Sequence, residues 1–179
     1  DTDANSIKSD DPIFLPESQA LQFSDYALQP GDIILTTVGS RPPLYDSMVG
    51  KTIRVPQSAA GSLLNQNMVK LCPKTELIDS GFLYSVLKTR KFIFHIEGSA
   101  RGNANQASIT LDDTFEFPVL VPPLPEQRKI AEILSCWDEG IAKCGDLKSA
   151  LDNQRLNYQR TLLTGKLLTK HRALGDVVE

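Results

Sequence analysis

The 179-residue sequence predicts an α+β fold, a compact head of mixed strands and helices followed by one long α-helix of coiled-coil type. Short, turn-bounded runs of β-forming residues recur through roughly the first 120 positions, and one helical pattern lies among them. From Glu126 onward no proline interrupts an apolar spacing of alternating fours and threes.

The elements follow in order. Ile33-Ile34-Leu35-Thr36-Thr37-Val38 comes after Pro30-Gly31-Asp32, stops at Gly39 and reads as a strand, whereas no strand is legible before Pro30. Met68 to Leu71, ended by Pro73, reads as a second strand. Ile78 to Phe94 reads as one helix, with Ile78, Phe82, Val86 and Leu87 on a shared face and Lys88, Arg90 and Lys91 in its C-terminal half. Gly98 to Gln106 reads as a loop, and Phe117 to Val121 as a third strand that Pro118 places at a sheet edge.

Pro122-Pro123-Leu124-Pro125 reads as a linker running into a helix. Pro125 suits the first turn, and Glu126 complements the helix dipole. A helix from about Glu126 to Leu163 is roughly 57 Å long at 1.5 Å per residue. A head of this size is only about 30 Å across, so one end of the helix is expected to project. The repeat falls on Ile133, Trp137, Gly140, Cys144, Leu147, Leu151, Gln154 and Tyr158, and Ile130, Leu134, Ile141 and Leu162 widen the stripe. This is a seam of heptad type whose partner helix must come from another chain or another copy. Thr164-Gly165 reads as a stop. The expected divisions are a head over residues 1–121, the helix over 122–165 and a tail over 166–179.

Composition excludes several classes. An apolar fraction of 41%, a charged fraction of 23% and 11 residues each of Gly and Pro exclude a disordered or fibrous chain. No apolar run approaches the ~20 residues that span a bilayer, and the first residues carry no apolar core of signal-peptide type. The three cysteines are an odd number without framework spacing, so a reducing, cytoplasmic compartment is the expectation. The net charge of −3 argues, taken whole, against a nucleic-acid partner. Divided along the chain it says something else. Residues 1–25 hold six acids and one base, while residues 41–101 hold nine bases and four acids. A local basic patch is what neutralises phosphate, so the average hides a candidate binding face.

Catalytic signatures fail on inspection. Gly50-Lys51-Thr52 resembles the end of a phosphate-binding loop, but Tyr45 stands where the loop needs its first glycine. Arg41-Pro42-Pro43-Leu44 lacks the polar and aromatic residues that flank the catalytic turn of amino-methyltransferases. His95 and His171 lie far apart, and neither paired-cysteine spacing nor a nucleophile elbow is present. Cys136 and Cys144 read as small apolar fillers of the seam.

One set of residues is specific. Val121-Pro122-Pro123-Leu124-Pro125-Glu126-Gln127-Arg128-Lys129-Ile130-Ala131-Glu132-Ile133-Leu134, then Trp137-Asp138 and Leu162-Leu163-Thr164-Gly165-Lys166, resembles the conserved region of specificity (S) subunits of type I restriction-modification systems. Gly31 to Thr36 is similar to the Gly-Asp-Ile-Leu strand of that family's target-recognition domains. Leu64-Asn65-Gln66-Asn67, Phe82-Leu83 and the stretch from Gly102 to Gln106 followed by Ile109 extend the likeness over residues 30–166. The resemblance implies a non-catalytic subunit with two target-recognition domains, each reading half of a split DNA sequence. Two long antiparallel helices set the spacer and hold two methyltransferase (M) subunits. It implies double-stranded DNA, M subunits and nuclease-motor (R) subunits as partners. No cofactor is expected in this chain, with S-adenosylmethionine and ATP confined to partner subunits, and no membrane is involved.

The chain departs from that family in having one head-and-helix unit where two are usual, which implies a half-subunit that homodimerises on a palindromic split site, or a fragment. It also lacks a legible aromatic-containing segment and further strands before Pro30. Two other readings stay open at this stage. One is a protein-interaction module, a globular head on a coiled-coil stalk. The other is an inactive remnant or decoy S subunit.

The candidate DNA contacts are Arg101, Asn103, Asn105 and Gln106 on the Gly-rich loop, Arg41, Lys51 and Arg54 after the first strand, and Lys88, Arg90 and Lys91. Asn, Gln and Arg on loops offer hydrogen bonds to base edges, and clustered Lys and Arg offer phosphate contacts. The candidate pairing and partner surface is Ile133, Trp137, Ile141, Cys144, Leu147, Leu151, Tyr158 and Leu162.

Overall fold

The computed structural model describes residues 2–3, 6–7, 13–41, 48–103 and 105–163. Strand β3 (Ile33–Thr36) lies at the centre of a three-stranded antiparallel sheet, between β5 (Thr52–Arg54) and β6 (Met68–Leu71). All of β3 is buried, because both faces of the sheet are covered. Ile33 and Leu35 join Val49, Leu87, Phe92 and Ile96 in one core cluster. Ile34 joins Leu28, Ile53, Val55 and Ala59 in a second cluster on the opposite face. An apolar run without alternation is the sequence form of such a strand, which is why this element was legible.

The expected strand is interrupted at Thr37, where the chain changes sheets. The Thr37 N–H donates to the Asn67 carbonyl (2.8 Å), and the Thr37 carbonyl accepts from the Ile109 N–H (3.0 Å). Beyond it, β4 (Val38–Gly39) enters a second antiparallel sheet in the order β4–β8–β7, with β7 at Arg101–Gly102 and β8 at Ala107–Ser108. The segment from Gly98 to Gln106 is therefore not all loop: Gly98 and Ser99 end a helix, and Arg101 opens a hairpin. Ahead of Pro30, β1 (Thr2–Asp3) pairs with β2 (Ser6–Ile7), and Ile7 packs against the second cluster. Strands of two residues leave no period-2 signal in a sequence. The short helix α1 (Glu17–Ala20) follows and runs into a 3-10 segment over Leu21–Tyr26.

The single helix expected over 78–94 is two helices, α2 (Ser80–Leu87) and α3 (Arg90–Ser99). Thr89 makes the break. Its hydroxyl donates to the Val86 carbonyl (2.7 Å) and accepts from the Phe92 N–H (3.3 Å), ending one helix and capping the next. The restart turns Phe92 and Ile96, at 0% and 1% exposure, into the first core cluster. Asp79 caps α2 in the same manner through the Phe82 N–H (3.0 Å).

Residues 117–121 form no strand. After α4 (Leu111–Phe115) the chain passes Pro118, Pro122 and Pro123, none of which has an N–H to give a ladder, and Phe117 is held by its ring, edge-on to Phe92 with centroids 5.2 Å apart. Helix α5 runs over Leu124–Leu163, 40 residues, beginning two positions before the expected Glu126 with Pro125 in its first turn. At 1.5 Å per residue it is about 60 Å long. The chain divides into two compact units, Asp1–Glu132 and Ile133–Glu179, so the first turns of α5 belong with the head. The expected tail, with Thr164-Gly165, lies outside the described residues. Among the described residues no helix is long and apolar enough to cross a membrane.

Candidate nucleic-acid interface

The candidate contact residues fall into two groups at the two ends of α3. The first is the β7–β8 hairpin. Gly102 sits at φ +111°, and a Cβ there would lie 2.3 Å from the Gln106 carbonyl oxygen, so only glycine closes this turn. Asn103 stiffens the tip. Its Oδ1 accepts from the N–H groups of Asn105 (3.1 Å) and Gln106 (2.8 Å), while its own N–H donates to the Gln106 carbonyl (3.2 Å). Asn105 and Gln106 are exposed at the tip.

At the base of the hairpin, Arg101 donates both Nη groups to the Asp113 carboxylate, at 3.1 and 3.2 Å. That carboxylate also closes the capping box of α4, accepting from the Thr110 N–H (2.8 Å) and the Thr110 hydroxyl (2.7 Å). The Thr110 hydroxyl first, then its amide, and then the Arg101 charge hold the Asp113 carboxyl below its ordinary value of 3.8. Arg41, half-buried, donates through Nη2 to the Ala100 carbonyl at the same corner. His95 stands behind it, its Nε2 2.7 Å from the Asp113 carbonyl oxygen and its ring against Phe117.

The second group surrounds β5 and the α2–α3 junction. Lys88 reaches the Thr52 carbonyl of β5 with Nζ (3.4 Å) and lies over the Tyr84 ring. Arg90 and Lys91 are exposed in the first turn of α3. There they add to the positive end of the helix dipole instead of offsetting it, a placement that favours an anion nearby. Gly50 has a packing role: at φ +79° it runs so close to α3 that a Cβ would meet Ile96 at 2.4 Å. A strand, not a helix, follows Gly50-Lys51-Thr52, so this segment is no phosphate loop.

On α5 the expected seam residues face solvent in the single chain. Ile133 is 50% exposed, Trp137 69%, Ile141 68%, Leu147 62%, Leu151 55%, Tyr158 63% and Leu162 50%, and Cys144 is exposed as well. Leu151, Gln154, Arg155 and Tyr158, at spacings of three, four and seven, line an open groove on this face.

The sequence placed Gln127 in the specific block that opens α5 but assigned it no role. Gln127 is fully buried, its Oε1 accepting from the Asp79 N–H (2.8 Å) and its Nε2 donating to the carbonyls of Leu77 (3.0 Å) and Pro122 (2.7 Å). One side chain thus ties the start of α5 to the linker before it and to the cap of α2. Asp113 was missed, although the Thr110-x-x-Asp113 spacing is a legible capping signal. Among the described residues no group of three or more His, Cys, Asp or Glu side chains could hold a metal ion.

The head thus carries a stiffened polar hairpin, and α5 carries an exposed apolar stripe. The type I restriction modification DNA specificity domain matches residues 8–151, most of the chain and parts of both units. The chain belongs to this family. It is 26% identical over 161 residues to the type I restriction enzyme MjaVIII specificity subunit of Methanocaldococcus jannaschii, covering 88% of this chain and 36% of the relative. It is 25% identical over 159 residues to the putative MjaX specificity subunit of the same organism, covering 86% and 36%. The fold is similar to the crystal structure of a type I restriction-modification S subunit from M. genitalium, with a TM-score of 0.57 and 22% identity over 78% of this chain and 34% of that one. It is also similar to a chain from a study of complex assembly and conformational transition in a type I restriction-modification system, with a TM-score of 0.56 and 20% identity over 83% and 37%. The chain thus spans a little over a third of the length of the curated relatives it matches.

Proposed function

We propose that this chain is the DNA-reading part of a type I restriction-modification complex and recognises one half of a split target in double-stranded DNA. The observation that carries the reading is the family match across residues 8–151, which takes in both the head and most of the seam helix. Asn105 and Gln106, with the Asn103 amide, present donors and acceptors to base edges from a stiffened tip. Lys51, Arg54, Lys88, Arg90 and Lys91 supply phosphate contacts from the other end of α3. The chain performs no catalysis of its own. S-adenosylmethionine and ATP belong to the M and R subunits that join it in the cytoplasm.

Helix α5 pairs with the helix of a second recognition unit, here a second copy of this chain, and the pair offers the docking surface for the M subunits. Side-chain sizes favour an antiparallel match. Aligning Leu147 with Leu151 of the second copy sets Cys144 against Gln154, Gly140 against Tyr158 and Trp137 against Thr161, a small residue facing a large one in each outer layer. A parallel match instead stacks Trp137 on Trp137 and leaves a void at Gly140.

The test is co-expression of the chain with the M subunit encoded beside it, followed by co-purification and mapping of methylated adenines. Capture of the M subunit and methylation within one recurrent, two-part palindrome is the expected result. Capture without methylation points to a decoy. Failure of both capture and low-salt DNA retention leaves an interaction module without a DNA role.

A further inference from the structure

The geometry points to a role for Arg101 other than DNA contact: we propose that its bidentate pair with Asp113 positions the β7–β8 hairpin for reading. This rests on the reading above, that Asn103, Asn105 and Gln106 at the tip meet DNA. Strand β8 is held on its other side by β4 and by Ala107 in the core, but β7 is the edge strand and, among the described residues, has only β8 beside it. The two strands share two residue pairs, Arg101 with Ser108 and Gly102 with Ala107, and a ladder that short is marginal by itself. The Asp113 end of the clamp is the fixed one. Its side chain is 13% exposed against 67% for Arg101, and its carboxylate is already held by Thr110 inside the capping box.

A guanidinium fork engaged through both Nη groups is fixed in orientation as well as distance, so it sets the direction in which β7 leaves the corner. The other side of that corner is latched by the hydrogen bond from Arg41 to the Ala100 carbonyl. An arginine whose charge is matched by an acid of its own chain adds little field for a phosphate, which would have to displace Asp113 to bind the fork. Arg101 is thus a positioning residue, and phosphate affinity comes from the group around β5 and α2–α3.

The acid makes the two roles separable. If Arg101 gripped phosphate, Asp113 would compete with DNA, and Asp113→Asn would tighten binding. If the pair positions the tip, the same substitution weakens binding although it removes a negative charge. The experiment uses the full chain and a duplex enriched by it from a randomised pool of about three helical turns. Affinity is then titrated against salt for Arg101→Ala, Asp113→Asn, their double variant and Lys51→Ala. Expected are losses of about tenfold for the first two, no further loss in the double variant and unchanged salt slopes, against a slope lowered by about 0.9 for Lys51→Ala. Tighter binding by Asp113→Asn, or a lowered slope for Arg101→Ala, overturns the positioning role. Hydrogen exchange of the amides at 102–107 without DNA reads the clamp directly and is expected to quicken in both single variants. Unchanged exchange beside intact wild-type binding overturns the clamp alone, whereas a wild-type chain that enriches no duplex overturns the DNA-reading function itself.

Discussion

The head and the distal part of α5 obtain their order from different sources. In the head, Ile33, Leu35, Ile53, Phe92 and Ile96 are at most 1% exposed, and Gln127 has its amide satisfied three times over by the same fold. From Ile133 to Leu163 every residue of α5 is exposed, including a stripe of large apolar side chains. The head buries its own core, while distal α5 leaves its apolar stripe exposed, and it is this stripe that the proposed pairing would cover. Tertiary packing supplies most helical stability in proteins, so the proposed pairing would matter to the distal helix in a way that it does not to α2 and α3.

That difference can be attacked from either side. The largest effect belongs to the seam. Leu147→Asp with Leu151→Asp places charge in the middle of the apolar stripe and is expected to abolish self-association and M-subunit capture, while the near-UV signature of the folded head survives. Sedimentation velocity over a concentration series checks the first part; a dimer persisting in the double variant would remove the seam from the interface.

Gln127→Ala probes the junction, where the head takes hold of α5. It leaves the Asp79 N–H and the carbonyls of Leu77 and Pro122 without their partner in a buried site. A stability loss of about 2–4 kcal/mol in urea unfolding of the head is expected, with self-association retained once the head is folded. A loss below ~0.5 kcal/mol would show that the amide is not what anchors the helix.

The smallest effect is one of pH and confined to the hairpin corner. Because the Asp113 carboxyl is held below its ordinary 3.8, its contribution is present above that value and fades as pH falls through the depressed one. The wild type and Asp113→Asn are therefore expected to differ in hairpin exchange protection at neutral pH and to converge only in acid below that range. Convergence already near pH 5 would show that the carboxylate is not held by Thr110 and Arg101.

Much of this organisation was legible in the residues. The run from Ile33 to Val38, bounded by Gly31 and Gly39, marked a strand and Met68 to Leu71 a second one, whereas their pairing and the cover on both faces of the first came from the structure. The helix beginning near Pro125 and the spacing of its stripe were equally plain. What escaped was short or long-range. The pairs β1–β2 and β7–β8 have two residues per strand, too few for a period. Thr89 looked like one polar residue within a helical pattern until its hydroxyl was seen to cap a second helix. At the candidate site, the basic residues were identifiable, but the distinction among them was not. Arg101 and Arg54 are alike as letters, and only Asp113, twelve positions away from Arg101, separates them.

Sequence alone determined which segments need burial, because hydrophobic periodicity and proline placement are local properties of the chain. It thereby determined the class: a mixed head and a long helix with an apolar stripe along it. Tertiary structure decided which polar groups are occupied. Gln127 became an anchor, Asn103 a stiffener and Arg101 a strut, because hydrogen-bond partners are assigned by contacts between residues distant in sequence. A polar side chain with its donors already committed is a different chemical group from the same side chain facing water.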